Sequence, residues 1–266
     1  MPDNKFARLR APLEAIMREA GELARETSRR PFKRWTKGDD NSPVTEGDIA
    51  VNDLLRARLS ALLPEAGWVS EETTDAPDRA PPLGWVVDPI DGTRAYIAGS
   101  AEWSISVALV EETRPRLAAL YAPAAEEMFL AAEGAGATLN GARIAASGGD
   151  TLSGAKLAGP KRYLEKLAAL DSAILPQPRV PSLALRLARV AQGTLDAAMS
   201  SPGSHDWDLA AADLLVHEAG GLFTDISGAT LRYIAPLAEH GALLAAGKAR
   251  HRALIGALRD RRGEFA

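Results

Sequence analysis

Asp88 and Asp91 stand three residues apart at the end of a short apolar run, residues 85–87, which predicts a buried strand. A proline lies between them, and Gly92 and Thr93 follow. Because proline fixes one φ angle and glycine permits a sharp reversal, both carboxylates can converge on one point. Such a pair suits Mg²⁺, which takes hard oxygen ligands together with water and phosphate. The amides of Gly92 and Thr93 would face the same space and could hold a phosphate oxygen.

Asp-Pro and Asp-Gly are also ordinary turn formers, so this stretch alone is compatible with a simple turn. Two further acidic groups favour a metal site. Glu71 follows a short predicted strand, Gly67–Ser70, and Asp208 lies in the first turn of a predicted helix. Strand ends that finish in carboxylates would gather acidic groups in one crevice. For Asp208, stabilisation of the helix start is the alternative explanation.

Thr45 and Asp48 have the spacing of a capping box and predict a helix from about residue 46 to 63. Helix capping is a sufficient structural reason for an aspartate at position 48. From the residues alone, capping and catalysis are equally good explanations of Asp48.

The elements that would position these groups fall into two halves. Residues 1–148 predict an α+β half that carries most candidate ligands, and residues 149–266 predict an α/β half that carries Asp208, with the boundary at Ser147–Asp150. Apolar spacing predicts a first helix over residues 6–28. Loops are predicted at Arg29–Pro43, where Lys37 and Arg34 could steer an anion, and at Arg94–Ser100. The other predicted strands are 103–110, 115–121, 128–132, a hairpin within 134–144, 156–158, 194–199, 222–225 and 242–246. The other predicted helices are 160–170, 182–191, one within 204–221, and 248–259.

Composition excludes several classes of protein. The 266 residues are 46% hydrophobic and 25% charged, with a net charge of −4, which is typical of a globular protein. The absence of a basic block argues against a nucleic-acid polymer as partner. With no cysteine there can be no disulfide, thiolate zinc site or cysteine nucleophile. No apolar run approaches the ~20 residues that span a bilayer, and the first ten residues lack a secretory signal. We therefore expect a cytoplasmic protein without membrane insertion.

Other catalytic motifs are missing. The four histidines include no H-x-x-x-H pair, and there is neither a P-loop nor a G-x-S-x-G elbow. His205 lies three residues before Asp208 and could touch a substrate, although a surface or capping role is favoured. Asp206 is likewise favoured as a cap rather than a ligand.

Four stretches, in this order, resemble the inositol monophosphatase superfamily of Mg²⁺-dependent, lithium-sensitive phosphatases. Each is weak alone, but the four together span most of the chain. They are Val44–Asp48, Ser70–Glu72, Trp85–Thr93 and Trp207–Gly221. The resemblance implies the fold of this superfamily and of fructose-1,6-bisphosphatase, an αβαβα layered α/β sandwich with the site between the two halves.

The resemblance also implies a role for each matching residue. Asp48 and Thr93 match the pair that positions and activates the attacking water. The amides of Gly92 and Thr93 match the phosphate contacts. Two or three Mg²⁺ ions are implied, for which Mn²⁺ could substitute, and water attacks the phosphate without a covalent phosphoenzyme. The matching metal ligands, which would also hold the substrate phosphate through the metal, are Glu71, Asp88, the Ile90 carbonyl, Asp91 and Asp208.

The implied substrate is a small-molecule phosphate ester. Thr93-Arg94-Ala95-Tyr96 is most similar to the 3′(2′),5′-bisphosphate nucleotidase branch, which converts 3′-phosphoadenosine 5′-phosphate to AMP and phosphate. Inositol-1-monophosphatase is the alternative, followed by histidinol-phosphate and fructose-1,6-bisphosphate phosphatases. Ser200–His205 lacks both the acidic residue of inositol enzymes and the arginine of nucleotidases. A catalytically silent ligand-binding regulator is the non-enzyme alternative, and a homodimer is plausible by resemblance.

Overall fold

The computed structural model describes residues 5–37, 42–73, 81–234 and 239–265. Within these ranges the chain forms seven α-helices and two short 3₁₀ helices, Ala7–Leu9 and Arg259–Glu264. The α-helices are α1 Arg10–Ser28, α2 Glu46–Leu62, α3 Thr93–Ile97, α4 Lys161–Ala168, α5 Leu183–Gln192, α6 Asp206–Glu218 and α7 Lys248–Leu258.

The same residues form sixteen β-strands, most of them in two large sheets. The strands are β1 Arg34–Lys37, β2 Ser42–Thr45, β3 Gly67–Ser70, β4 Leu83–Asp91, β5 Ser104–Glu111, β6 Arg114–Ala122, β7 Glu127–Ala132, β8 Gly136–Leu139, β9 Ala142–Arg143, β10 Lys156–Ala158, β11 Leu175–Pro176, β12 Ala197–Ser200, β13 Ser204–His205, β14 Gly221–Asp225, β15 Glu239–His240 and β16 Leu243–Gly247. A seven-stranded sheet has the order β3-β4-β5-β6-β7-β8-β9, and a five-stranded sheet has the order β11-β10-β12-β16-β14. Only the β3–β4, β10–β11 and β10–β12 pairs of the described strands are parallel.

Three apolar clusters hold five layers together. Helices α1 and α2 pack on one face of the seven-stranded sheet, where Trp85 and Val87 of β4 point. The opposite face, with Val86, packs on α5 and α6. These two helices also cover one face of the five-stranded sheet, and α4 and α7 cover its other face. The alternation along β4 follows from the two-residue period of a strand. The predicted αβαβα arrangement is thus confirmed.

Two predicted loops proved to be wrong in part. Arg34–Lys37 pairs antiparallel with Ser42–Thr45, as a hairpin exposed along β1. A ribbon of two four-residue strands, of which only β1 is mostly exposed, is too short to show apolar alternation, so the sequence pattern did not predict it. Residues 38–41 of this predicted loop lie outside the described residues. A further Pro-rich loop is predicted from Thr73 to Gly84, and its residues 74–80 also lie outside them.

The predicted loop after Thr93 begins instead with helix α3, since the amides of Ala95 and Tyr96 donate to the Gly92 carbonyl. Five residues are too few for an apolar period to be visible.

The division at Gly148 and Gly149 stays a prediction. The central cluster draws on both sides of it, with Phe129 on one side and Leu209 on the other. Within the described ranges, no helix has the length and apolar character needed to cross a membrane.

Candidate active site

A cavity of about 250 Å³ opens beside the end of β4. Within the described chain, the carboxylates of Asp88, Asp91 and Asp208 each place one oxygen within 4.8 Å of the others at this cavity. Its wall contains every residue predicted above as a metal or phosphate contact. These residues are Glu71, Asp88, Ile90, Asp91, Gly92, Thr93 and Asp208.

A bulge in β4 turns both aspartates of the central motif toward this cavity. Residues three apart in a regular strand point to opposite faces of the sheet. Here Asp88 pairs with Ser106 and Asp91 pairs with Ser104, and the register shifts between the two aspartates. An extra residue in one strand re-aims the side chain that follows it. The bulge therefore explains how the Asp-Pro-Ile-Asp stretch makes a site instead of continuing the strand.

Asp91 is held by the first turn of helix α5. Its Oδ2 accepts from the Ser182 hydroxyl at 2.5 Å and from the Ala184 amide at 2.7 Å, and its Oδ1 accepts from the Leu183 amide at 3.2 Å. The two amides are groups that a helix start leaves unsatisfied, and the helix dipole favours a negative charge there. A residue of the first half of the chain thus caps a helix of the second half.

Asp208 is fixed by its position three residues into α6. Its Oδ2 accepts from the His205 amide at 2.7 Å, which is the backward bond of a capping box. Asp208 therefore caps its helix and also lies beside Asp88 and Asp91, because the capping bond directs its carboxylate into the cavity.

Asp48 and Thr93 form a second group beside the cluster. Asp48 Oδ2 accepts from the amide of Thr45 at 2.8 Å and from its hydroxyl at 2.6 Å, as the predicted capping box requires. The other oxygen, Oδ1, lies 3.4 Å from the Thr93 hydroxyl, which is also 3.1 Å from the Ile90 carbonyl. Capping does not exclude catalysis here, since each carboxylate oxygen has a different partner.

Glu71 differs from the other predicted ligands. It lines the cavity, but Lys37 from strand β1 lies 3.1 Å from its carboxylate and 2.6 Å from Glu72. To join the three aspartates around a cation, Glu71 would exchange this lysine for the metal. Lys37 was expected only to steer anions, and its pairing with Glu71 joins residues 34 positions apart in the sequence, for which no local pattern exists.

Gly92 allows the chain to turn from β4 into α3. Its φ angle is +91°, and a Cβ atom there would lie 3.2 Å from the Glu102 carbonyl oxygen and 3.2 Å from the Ser182 amide nitrogen. The close approach keeps Ser182 in reach of Asp91. The turn at Gly92 also places the first amides of α3 at the cavity edge, and these amides have no acceptors inside the helix.

We expect Gly92→Ala to lower the free energy of unfolding by about 2–3 kcal/mol, from left-handed strain and backbone crowding. Turnover should fall as well, because displacement of Ser182 disturbs Asp91. Gly99→Ala is the matched control, since Gly99 also has a positive φ angle, +68°, but no atom within 4 Å of the added Cβ. It should lose about 1 kcal/mol and keep its kcat. Denaturant titration and kcat measure both effects, and equal losses in the two variants would contradict the packing argument.

Burial and mutual repulsion raise the pKa values of the clustered carboxyls. Burial raises the pKa of Asp208 to about 8, with Asp91 contributing. Burial also raises that of Asp91 to about 6, against the hydrogen bond from Ser182, and that of Asp48 to about 7, against those from Thr45. The pKa of Asp88 is raised by burial and by Glu71. Buried carboxylates that repel each other fit a divalent cation, whose charge would offset both effects.

These shifts predict how the stability of the metal-free protein depends on pH. A raised folded-state pKa stabilises the folded state below the unfolded value, and this stabilisation is lost as pH rises through the folded value. With the values above, Tm of protein treated with a chelator should fall between pH 5 and pH 8, by about 2–4 °C per kcal/mol lost.

Millimolar Mg²⁺ should reverse this fall, and the gain in Tm should be larger at pH 8 than at pH 5, because the ion competes with protons. Differential scanning calorimetry at constant ionic strength measures both. A metal-induced gain that is independent of pH would contradict the clustered-carboxyl interpretation.

The structure separates the remaining sequence candidates. Arg94 is exposed and lines the cavity. Tyr96 is buried and donates to the Ala24 carbonyl at 2.8 Å, so it cannot stack on a substrate ring. His205 stacks on Trp207 with ring centroids 4.7 Å apart. Asp206 accepts from the Ile234 amide and contacts His240, as expected for a structural residue.

Two residues of the site were missed in the sequence. Ser182 follows a proline and opens a predicted helix, which is the usual pattern of an N-cap residue and could have identified it. Arg179 lines the cavity from the stretch before α5, and no local pattern marks it.

The layered α/β fold and the carboxylate cluster define a class of protein that would bind divalent metal. Comparison with known families is more specific. The model of the inositol monophosphatase family matches residues 7–262. The chain belongs to this family of phosphatases, and the predictions of family and hydrolase are confirmed.

Individual relatives agree with this assignment. The inositol-1-monophosphatase of Mesorhizobium japonicum is 28% identical over 96% of this chain and 97% of its own length. The Nus factor SuhB of Pseudomonas aeruginosa is 34% identical over 79% of this chain and 83% of its own. The structure of an IMPase from Thermotoga maritima is similar with a TM-score of 0.83 and 25% identity, covering 96% of this chain and 98% of that one.

Proposed function

We propose that this protein hydrolyses a small phosphate monoester with Mg²⁺ and a directly attacking water. The observation that supports this most is the convergence of Asp88, Asp91 and Asp208 within 4.8 Å beside the Thr93–Asp48 pair. Asp88, Asp91 and Asp208 would hold the ion or ions, joined by Glu71 and the Ile90 carbonyl, and Mn²⁺ could substitute. Mg²⁺ bound there would supply a water of lowered pKa and positive charge for the phosphoryl oxygens.

The protein's own groups handle the proton and the phosphate. When the Thr93 hydroxyl donates to Asp48, its lone pairs are free to accept a hydrogen bond from the attacking water. As the water attacks, its proton passes to the Thr93 oxygen while the hydroxyl proton passes to the Asp48 carboxylate. The raised pKa of Asp48, about 7, suits a base at neutral pH. The amides of Gly92 and Thr93 stabilise the phosphoryl oxygens. A P–O bond forms to the water oxygen as the P–O bond to the leaving group breaks, and the leaving oxygen takes a proton from solvent water.

Two substrates compete. The names of the Mesorhizobium japonicum and Thermotoga maritima relatives favour inositol 1-phosphate. The nucleotidase alternative relies on Arg94, which lines the cavity, but Tyr96 no longer supports it because its side chain is part of the core. Histidinol phosphate and fructose 1,6-bisphosphate complete the set. We further propose a cytoplasmic location and a homodimer.

Phosphate release with Mg²⁺, with and without Li⁺, tests the function on inositol 1-phosphate, 3′-phosphoadenosine 5′-phosphate, histidinol phosphate and fructose 1,6-bisphosphate. We expect turnover of at least one ester, loss of turnover in a chelator and inhibition by Li⁺. Calorimetry with Mn²⁺ adds a readout without turnover. Metal binding without hydrolysis of any ester would instead support the silent regulator.

A further inference from the structure

A second, larger cavity of about 740 Å³ adjoins the metal cavity on the side of the second half of the chain. Arg179 lines both cavities. Leu183, whose amide donates to Asp91, lines the larger one. A leaving group attached to a phosphate at the aspartate cluster would therefore extend into this space.

Arg186, on helix α5, is the unusual residue of the larger cavity. It is only 8% exposed, and its Nε is buried without a hydrogen-bond partner among the described residues. Asp91 is the nearby acid, but it already accepts from Ser182, Leu183 and Ala184. A buried cation without a paired anion is unfavourable, so Arg186 is suited to bind an anionic group that enters this cavity.

The positive charge near Arg186 favours the binding of an anionic ligand. Burial lowers the pKa of Arg186 to about 10, and the positive charge of Arg179 contributes in the same direction, while Asp91 opposes it. The guanidinium is still protonated at neutral pH. Two guanidinium groups that repel each other across a cavity favour an anion between them.

Ser200 supplies a second donor in the same cavity. It ends strand β12, is 3% exposed, and its hydroxyl is buried without a partner in the described part of the chain. The carboxylate that also lines the cavity, Glu165, is exposed and lies 3.7 Å from Lys161. Leu164 and Leu183 add apolar wall, which suits a ring or carbon chain.

We propose that the substrate carries a second anionic group, a phosphate or carboxylate, on the leaving-group side of the ester, and that Arg186 and Ser200 bind it. The inference rests on the proposed function and narrows its substrate class. It favours doubly anionic esters over phosphates of uncharged polyols. Arg186 is then a specificity residue, which contacts the substrate away from the reacting phosphate.

Matched pairs of esters test this inference with Mg²⁺ present. Each pair shares a scaffold and differs in the second anion. The pairs are 3′-phosphoadenosine 5′-phosphate with adenosine 3′-phosphate, fructose 1,6-bisphosphate with fructose 1-phosphate, and 3-phosphoglycerate with glycerol 3-phosphate. The third pair distinguishes a carboxylate from a phosphate. We expect kcat/KM to favour the doubly anionic member of at least one pair by about tenfold or more, as for a charge-assisted hydrogen bond.

Arg186→Met should lower kcat/KM for the preferred member about 10–100-fold and leave its partner nearly unchanged. Arg186→Lys should recover part of the loss, and Ser200→Ala should reduce the same ratio by a smaller factor. Lys161→Met is the matched control, because it removes a cation that lines the same cavity but is 91% exposed in its side chain. It should leave the ratio unchanged.

Stability gives an independent readout. Without ligand, Arg186→Met should unfold at a higher temperature than the wild type, because a buried unpaired charge is removed. Equal loss of activity on both members of a pair, or a lower Tm, would indicate a structural role and overturn the inference. Equal wild-type rates within every pair would overturn it too.

Rejection of the proposed hydrolase activity can be distinguished from rejection of the second-anion inference. No phosphate release from any ester, including 4-nitrophenyl phosphate, would reject the hydrolase. Calorimetry with 3′-phosphoadenosine 5′-phosphate and with 3-phosphoglycerate would then decide the inference alone. Binding of either to the wild type and not to Arg186→Met would support it, and failure to bind both would reject it.

Discussion

Asp88→Asn should lower kcat by at least about 10³-fold while the fold stays intact. The amide keeps the size of the carboxylate but removes a full negative charge from the cluster with Asp91 and Asp208. Loss of several kcal/mol of charge stabilisation at the reacting phosphate corresponds to about three powers of ten in rate. The measurement is kcat at saturating Mg²⁺, with circular dichroism to verify the fold.

The same variant should be more stable than the wild type when metal is absent. Asp88 is 1% exposed, and burial raises the pKa of its carboxyl. Replacing this carboxyl with a neutral amide therefore removes a group whose burial is unfavourable. Stabilisation by Mg²⁺ should shrink or vanish.

Asp213→Asn is the matched control for a buried carboxylate outside the site. Asp213 is fully buried, and Arg114 and His217 lie 2.8 Å and 3.2 Å from its oxygens. Breaking this group should cost about 3–5 kcal/mol of stability and leave kcat per folded molecule unchanged. Activity like that of the wild type in Asp88→Asn would refute the metal assignment.

Asp48→Asn should lower kcat by about 10²–10³-fold, the range expected for loss of a general base. Asparagine keeps an oxygen for the cap that Thr45 makes, so stability should change little. Thr93→Val should lower kcat by a similar factor, because it removes the hydroxyl 3.4 Å from Asp48. The double variant should lose no more than either single one, since both remove the same proton path.

Thr45→Val separates capping from catalysis. It removes the hydroxyl that accepts from the Gly47 and Asp48 amides and donates to Asp48 Oδ2. It keeps the Thr45 amide bond to Asp48 Oδ2 and the contact between Asp48 Oδ1 and the Thr93 hydroxyl. A loss of about 1 kcal/mol in stability with a small change in kcat is expected.

Multiplicative losses of kcat in the double variant of Asp48 and Thr93 would mean that the two residues act separately.

Local sequence patterns were enough to predict much of this site. Asp88 and Asp91 were identified from one strand end, and Thr45 and Asp48 from one capping box, because the relevant partners lie within six residues. Their convergence with Asp208 required the family resemblance, since no local pattern joins residues 120 positions apart.

The remaining features depend on contacts made through space. Lys37 contacts Glu71 from a hairpin that the sequence pattern does not predict. Arg186 lies in a predicted helix, and its position in the sequence does not distinguish it from other helical residues. Only the packing around it reveals that its charge is buried and unmatched.

The cap that α5 provides for Asp91 has a consequence for synthesis on the ribosome. Glu71, Asp88 and Asp91 leave the ribosome before Ser182 and Asp208. At about 5–20 residues per second, the 117 residues from Gly92 to Asp208 take roughly 6–23 s to add. During this interval Asp88 and Asp91 lack their third partner, and for most of it Asp91 also lacks its helix cap. The protein should therefore gain its metal only near release, and truncated chains should be inert toward phosphate esters.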